Sequence, residues 1–368
     1  MVVRMVRILT IALLALTACV EIFEFNTSSE DRAVIIEGVF TDVSAQEYLN
    51  DFDEFRWFKV ELNWASTVSN IRDEPISGAE IELASDANEF WDYTEGEPGV
   101  YQLFYPDLKA MPGVQYRLIV RLPDGNVIES ALEQLPEESQ EGTISFKEKD
   151  EPQYVVEAEE TVIKAVDGVE VNIEMPHTNP NATSYYRWDF YTTWLLKAAR
   201  IPASSPVGIC WVSEQYYLDE YRLLEVSQDQ SVSDLFFLPI EGNLQVENGF
   251  SVRVRQLSIS TDYFQFWKDL ENQQRQSELF APPPYNLPTN LTITDEDIDV
   301  YGYFGVGKET NYTWYMNLRD LSYVPKFSAQ CFLPYALDRP AYCSNCLNYE
   351  SIKFGDKITN IQPNWWRP

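Results

Sequence analysis

Pro75-Ile76-Ser77-Gly78-Ala79-Glu80-Ile81-Glu82-Leu83 is a turn that runs into a strand. Pro and Gly punctuate the chain. Ala79, Ile81 and Leu83 then fall on one face, and Glu80 and Glu82 on the other. The same unit recurs downstream. Pro98-Gly99 leads into Val100-Tyr101-Gln102-Leu103, and Pro112-Gly113 leads into Val114 to Val120. Pro123-Asp124-Gly125-Asn126 is a tight turn, with a return strand from Val127. Upstream, Val34 to Phe40 and the alternating Lys59-Val60-Glu61-Leu62-Asn63-Trp64 read as strands, separated by an acidic, loop-like stretch from Gln46 to Phe55. Short strands and turn signals at this spacing predict an antiparallel β-sandwich over residues 33–135.

Leu135 to Gly142 combines Pro, Gly and a run of charge, and residues 136–150 read as a linker. Residues 151–368 are again mainly β. Tyr154-Val155-Val156, Val169 to Ile173 and Phe250 to Leu257 alternate, and Tyr185 to Tyr191 is an aromatic strand. One segment breaks the pattern. Ser260 to Gln274 contains no Pro or Gly and spaces Tyr263, Trp267 and Leu270 as a helix does, with Ser260 or Thr261 as N-cap. The fold class expected is therefore mainly β: an N-terminal sandwich followed by a second β-rich domain with one inserted helix.

The N-terminus carries an export signal. Arg4 and Arg7 form a basic start, and Ile8 to Ala15 is an apolar run too short to span a bilayer. Leu16-Thr17-Ala18-Cys19 has the form of a lipobox, cleaved before the cysteine. On this reading residues 1–18 are a lipoprotein signal peptide, acylated Cys19 holds the chain to membrane lipid, and residues 19–32 are a tether. Val20 follows the cysteine where an Asp would favour retention in the inner membrane. The expected location is the outer membrane, with the cell surface favoured by Glu21 and Glu24 and the periplasmic face left open.

The 368 residues carry a formal charge of -31, which loss of Arg4 and Arg7 takes to −33. Such a body repels nucleic acid and anionic headgroups. Hydrophobic content of 45% and aromatic content of 14% supply large cores, so the acidity belongs on a solvated surface. The single histidine, His177, lies in a turn-like stretch and argues against His-based metal sites and Ser-His or Cys-His nucleophiles. Asp295-Glu296-Asp297-Ile298-Asp299 lacks EF-hand spacing and reads as a solvated turn. Neither a metal nor a cofactor is expected. Beyond Cys19, Cys210, Cys331, Cys343 and Cys346 allow three disulfide pairings. The favoured arrangement clamps the C-terminal tail with at least one bridge from Cys210 to the C-terminal cluster.

These landmarks, in order, resemble a family of Bacteroidota lipoproteins catalogued as domain of unknown function 4249. The resemblance runs from the lipobox through Glu37-Gly38, Pro75 to Ala79, Gly99-Val100-Tyr101, Tyr116 and Pro123-Asp124-Gly125. It continues with Tyr186-Arg187-Trp188, the Tyr263-to-Trp267 helix, Pro282-Pro283, Asn290 and Tyr301-Gly302-Tyr303-Phe304, and closes on Cys343-Ser344-Asn345-Cys346 and Pro363-Asn364-Trp365-Trp366. The chain departs from the family between Leu347 and Ile361, where only Gly355 remains of a glycine-rich stretch. The Pro75-to-Leu83 strand is also similar to that of prealbumin-like and carboxypeptidase-regulatory sandwiches, an architectural likeness only.

The resemblance implies a position beside TonB-dependent outer-membrane transporters. The reading that follows is a non-enzymatic accessory lipoprotein that docks on such a barrel and helps capture a substrate. Trp57, Trp64, Trp91, Trp194 and Trp211 are the candidate binding aromatics, with core packing as their competing role. Two alternatives stand beside it. One is a calcium-stabilised adhesion or structural module. The other is a carboxylate-dependent surface hydrolase, which a buried Asp or Glu pair in a cleft would favour.

Overall fold

Strand Ala33–Thr41 buries Val34, Ile36 and Phe40 completely and turns Glu37 and Val39 the other way. That alternation, repeated strand by strand, builds a sheet of eleven strands in a computed structural model. The model describes residues 33–65, 74–157, 160–176, 183–200, 208–214, 218, 221–227, 231–275, 287–294, 298–327, 330–332, 339–349 and 357–367. The order across the large sheet is 357–359, 209–214, 184–197, 250–259, 299–316, 33–41, 58–64, 100–103 and 94–97, with 222–226 and 74–75 paired at its sides. The chain is mainly β, as the turn-and-strand pattern predicts.

One face of this sheet is apolar and covered by two smaller sheets. A six-stranded sheet (291–293, 127–130, 115–121, 80–85 and 90–92, with 133–134 alongside) shares a core with Val34, Ile36, Phe40, Val60 and Leu62. A three-stranded sheet (143–157, 160–174 and 232–239) shares a second core with Trp188, Phe190, Trp194, Val252 and Val254. Side chains from facing sheets interdigitate in both cores, which makes the arrangement sandwich-like.

The 18-residue strand Asp299–Met316 joins the two cores. Its first half pairs in parallel with Ala33–Thr41 and contributes Phe304 and Val306 to the first core. Its second half pairs antiparallel with Phe250–Ile259 and contributes Met316 to the second. Leu291–Ile293 likewise pairs with Val127–Ser130. Residues 291–307 therefore complete the sheets begun by residues 33–135, and the backbone ladder crosses the expected domain boundary. Gly302 is what allows the parallel contact, because a Cβ there would lie 1.9 Å from the Ile36 carbonyl oxygen.

Two expectations are corrected. The stretch expected as a loop contains helix Ala45–Phe52. Ser44 caps it through the Glu47 N–H, Glu47 returns a carboxylate to the Ser44 N–H, and Tyr48 and Phe52 are buried. The capping box supplies the start signal that the acidic composition obscured. The linker expected over 136–150 ends early, because Thr143–Glu157 is a strand. Its Ile144 and Phe146 pack on the second core between outward Thr143, Ser145 and Lys147, so the charged run from Lys147 to Glu151 belongs to a strand and not to a linker.

The helix expected near 260–274 is Thr261–Arg275, with the Tyr263 N–H donating to Ser260 Oγ at 3.3 Å. Tyr263, Phe264, Phe266 and Trp267 are buried against the sheet. Gly305 leaves the room for this, since a Cβ there would lie 2.2 Å from the Tyr263 ring. Cys210 bonds to Cys346 and Cys331 to Cys343, so each half of the CxxC ties the tail to a different segment. The tail ends on the N-terminal helix. Asn364 donates its backbone N–H and its Nδ2 to the Asp53 carboxylate at 2.7 and 2.8 Å, and Trp366 is buried. The lipobox with Cys19, His177, Pro282 to Pro284 and residues 295–297 lie outside the described residues.

Candidate functional site

The second face of the large sheet is polar. Period-two alternation that sends Trp188, Phe190, Val252 and Val254 into the core sends Arg187, Asp189, Arg253 and Arg255 outward. Strands 33–41 and 58–64 add Glu37, Val39, Lys59 and Glu61 to the same face. Helix Thr261–Arg275 walls one end, where Tyr263 lines a hollow of about 240 Å³. Helix Ala45–Phe52 and the segment after it wall the other, where Tyr48 and Trp57 line a hollow of about 380 Å³. The hollows share Val39, Lys59, Tyr191 and Arg255, so they form one cleft. A separate, more apolar cavity of about 430 Å³ lies behind Trp267, lined by Phe266, Leu270 and Tyr301.

The cleft floor is held by ion pairs. Glu309 has no exposed side-chain surface and meets Arg56 and Arg255, with Arg255 Nε at 3.0 Å. It also accepts from Thr41 Oγ1 at 3.1 Å and Asn311 Nδ2 at 2.7 Å. Burial alone would raise its pKa, but Arg255 and Arg56 outweigh burial and hold it down at about 2. Arg255 responds in kind: burial lowers its pKa, and Glu309 and neighbouring groups more than reverse that.

Arg253 Nη1 donates to Glu54 at 2.7 Å and to Tyr48 at 3.0 Å, with the rings of Phe52 and Trp365 within 5.2 Å of its guanidinium. Arg187 lies 3.5 Å over the Trp267 ring and pairs with Asp189 at 2.8 Å. These guanidiniums are fixed before any ligand arrives. Among the described residues, Arg56 Nη1, Arg187 Nε and Arg253 Nε nonetheless remain buried without an acceptor. Glu37 faces the hollow but is hemmed in by protein on its other sides. That crowding raises its pKa, partly countered by Arg187.

The five tryptophans named from the sequence separate clearly. Trp57 lines the cleft, its ring stacked on Phe55 at 4.9 Å and edge-on to Phe104 at 5.2 Å. Phe55 and Phe104 are each 46% exposed, so the three rings make an aromatic rim. Trp194 and Trp211 are buried, and Trp64 and Trp91 pack against the first core. Trp194, Trp64 and Trp91 pack on the cores, whereas Trp211, paired with Leu195 and two residues before cleft-lining Ser213, is buried on the cleft side of the sheet, outside both cores. The cleft's arginines and Glu309 were missed by the sequence reading. The signal that finds them is Val252-Arg253-Val254-Arg255, a buried strand with a cation at each outward position.

Among the described residues, no group of three or more His, Cys, Asp or Glu side chains is placed to hold a metal ion, and no helix is long and apolar enough to cross a membrane. The fold and cleft define a mainly β protein with a preformed polar depression on one sheet face. A family model described as Domain of unknown function (DUF4249) matches residues 52–313, and the chain belongs to that family. The match covers all or part of every strand named above as lining the cleft except Ala33–Thr41. No curated protein matches the chain.

Proposed function

We propose that this protein is a lipid-anchored, non-enzymatic accessory of a TonB-dependent outer-membrane barrel, and that it captures cargo in the cleft on its large sheet. The lipobox ending at Cys19 supports the anchor, and the order of family landmarks supports the barrel. The observation that carries the binding role is the cleft itself. Its cations are held in place by Glu309, Glu54, Asp189 and aromatic rings, which is preorganisation for recognition. An aromatic rim at its mouth supplies apolar contact.

The test is purification of the lipidated protein from its native outer membrane in mild detergent. A stoichiometric TonB-dependent barrel, absent from preparations of a Cys19→Ala variant, is the expected result. A protein that emerges alone, or a variant that retains the barrel, contradicts the reading.

One observation favours a second reading, the carboxylate-dependent hydrolase. Glu37 lines the cleft with a raised pKa, and Glu61 and Asp189 line the same hollow. A carboxyl whose surroundings raise its pKa is the kind of group a general acid is built from. Turnover of glycoside or ester substrates that disappears in Glu37→Gln, with cargo binding retained, would establish it. Absence of turnover in the wild type removes it.

A further inference from the structure

The two ends of the cleft differ in charge. Arg56, Lys59, Arg253, Arg255 and Lys357 line the end beside Trp57. Among the described residues, Glu54 and Glu214 are the acids lining it, and buried Glu309 stands behind. Five cations against three carboxylates is a local reversal in a chain with 27 Lys and Arg against 58 Asp and Glu. The other end, around Glu37, is balanced, with Glu37, Glu61 and Asp189 opposite Lys59, Arg187 and Arg255.

From this basic end we infer the chemistry of the cargo: an organic anion that places a carboxylate or sulfate among Arg56, Lys59, Arg253 and Lys357 and lays a flat apolar face on the Phe55–Trp57–Phe104 rim. The inference rests on the capture reading above and deepens it. Four features of the site support it. Arg56 and Arg253 line the hollow, and among the described residues Arg56 Nη1 and Arg253 Nε find no acceptor, so the protein alone does not satisfy these two guanidiniums. Lys59–Glu61 and Lys357–Glu54 are open to solvent, with Lys357 76% exposed, so an anion displaces them at little cost. Gln102, Thr192 and Ser213 add neutral hydrogen-bonding groups to the same wall. Phe55 stacks on Trp57 with ring planes 9° apart and is 46% exposed, so the stack presents a flat aromatic face suited to a sugar ring or an aromatic ring alike. The site also lies on a sheet face, so recognition runs through side chains and not through strand addition at an edge.

The anion and the flat face are compatible with two sources, an acidic saccharide and an aromatic carboxylic acid. Calorimetric titration of the full-length lipidated protein in detergent distinguishes them, with trigalacturonate and indole-3-acetate as probes. Maltotriose is the neutral control and inorganic sulfate the bare anion.

The expected result is saturable binding of at least one organic anion. Maltotriose and sulfate each bind at least tenfold more weakly, and affinity falls as salt rises. Preference for trigalacturonate assigns a saccharide source, and preference for indole-3-acetate an aromatic one. Lys59→Glu with Lys357→Glu, which set like charges beside Glu61 and Glu54, should weaken binding at least tenfold while the protein still unfolds cooperatively. Trp57→Ala should weaken the organic anion and leave sulfate unaffected. Equal binding of maltotriose, binding of sulfate alone, no binding of either organic anion, or full affinity in the double lysine variant overturns the inference. Barrel co-purification, read on the same preparation, keeps the two claims apart. A barrel without anion binding defeats this inference alone, and anion binding without a barrel defeats the transporter role alone.

Discussion

Glu309 shows how one side chain organises the cleft. It reaches Thr41 on strand 33–41, Arg56 after the N-terminal helix, and Arg255 on strand 250–259. A buried carboxylate with two guanidiniums is a network in which removing one member leaves the others uncompensated. Glu309→Gln is predicted to destabilise the fold at neutral pH by on the order of 3 kcal/mol. The pH dependence follows from the direction of its shift. The folded pKa, about 2, lies below the ordinary value of 4.5. The carboxylate therefore contributes its full stability above that ordinary value and loses it as pH falls towards 2. The gap between wild type and Glu309→Gln should narrow over that window. Denaturant melts at neutral pH and at stepped acidic values check this, and a constant gap would contradict it. Glu133 has the opposite sign. Burial raises its pKa despite hydrogen bonds from Tyr303 and Asn290, so its ionisation works against the fold as pH rises.

At the scale of elements, the hairpin of strands 143–157 and 160–174 divides into two parts. Residues 168–174 pair with a third strand, 232–239, and bury Val169, Val171 and Ile173. The outer part is two-stranded, with Tyr154 opposite Ile163 and those residues 79% and 66% exposed. A two-stranded ribbon is marginal in water without a packed face. Amides of 150–155 and 160–166 should therefore exchange with solvent well before those of 169–173. Hydrogen exchange resolved by peptide measures it, and uniform protection along the hairpin would contradict it.

The tail is a second case. Cys210–Cys346 spans 136 residues of sequence and joins the tail to the edge of the large sheet, adding to its contacts through strand 357–359, Asn364 and buried Trp366. Loop-closure entropy at that length is about 3–5 kcal/mol. Reduction with dithiothreitol should lower the melting temperature measurably, and Cys331→Ser with Cys343→Ser should lower it less, because that loop spans 12 residues.

At the scale of the whole molecule, what the sequence displayed was local. The Pro-Gly turns, the alternating strands and helix Thr261–Arg275 could be read because each signal sits within a few residues of its effect, and the long-range bridge from Cys210 to the tail cluster followed from there being only four cysteines after Cys19. The parallel pairing of Ala33–Thr41 with residues 299–307 could not, because it joins segments more than 250 residues apart and neither advertises its partner. The same limit hid the cleft. Arg187, Arg255 and Glu309 lie on separate strands, and only the sheet order makes them neighbours. Trp57 was among the candidates, but what separates it from Trp194 is the sheet: Trp57 precedes strand 58–64 and lines the cleft, whereas Trp194 points from its strand into the second core.

In the proposed reading, the continuous sheet carries the cargo cleft and acylated Cys19 tethers the whole. Native mass spectrometry of the lipidated protein, extracted from its outer membrane without crosslinking, tests that account most directly. The predicted spectrum contains this chain with a TonB-dependent barrel, and cargo-sized mass that is lost when Lys59 and Lys357 are both changed to Glu. A spectrum of the acylated chain alone, unchanged in that variant, would contradict it.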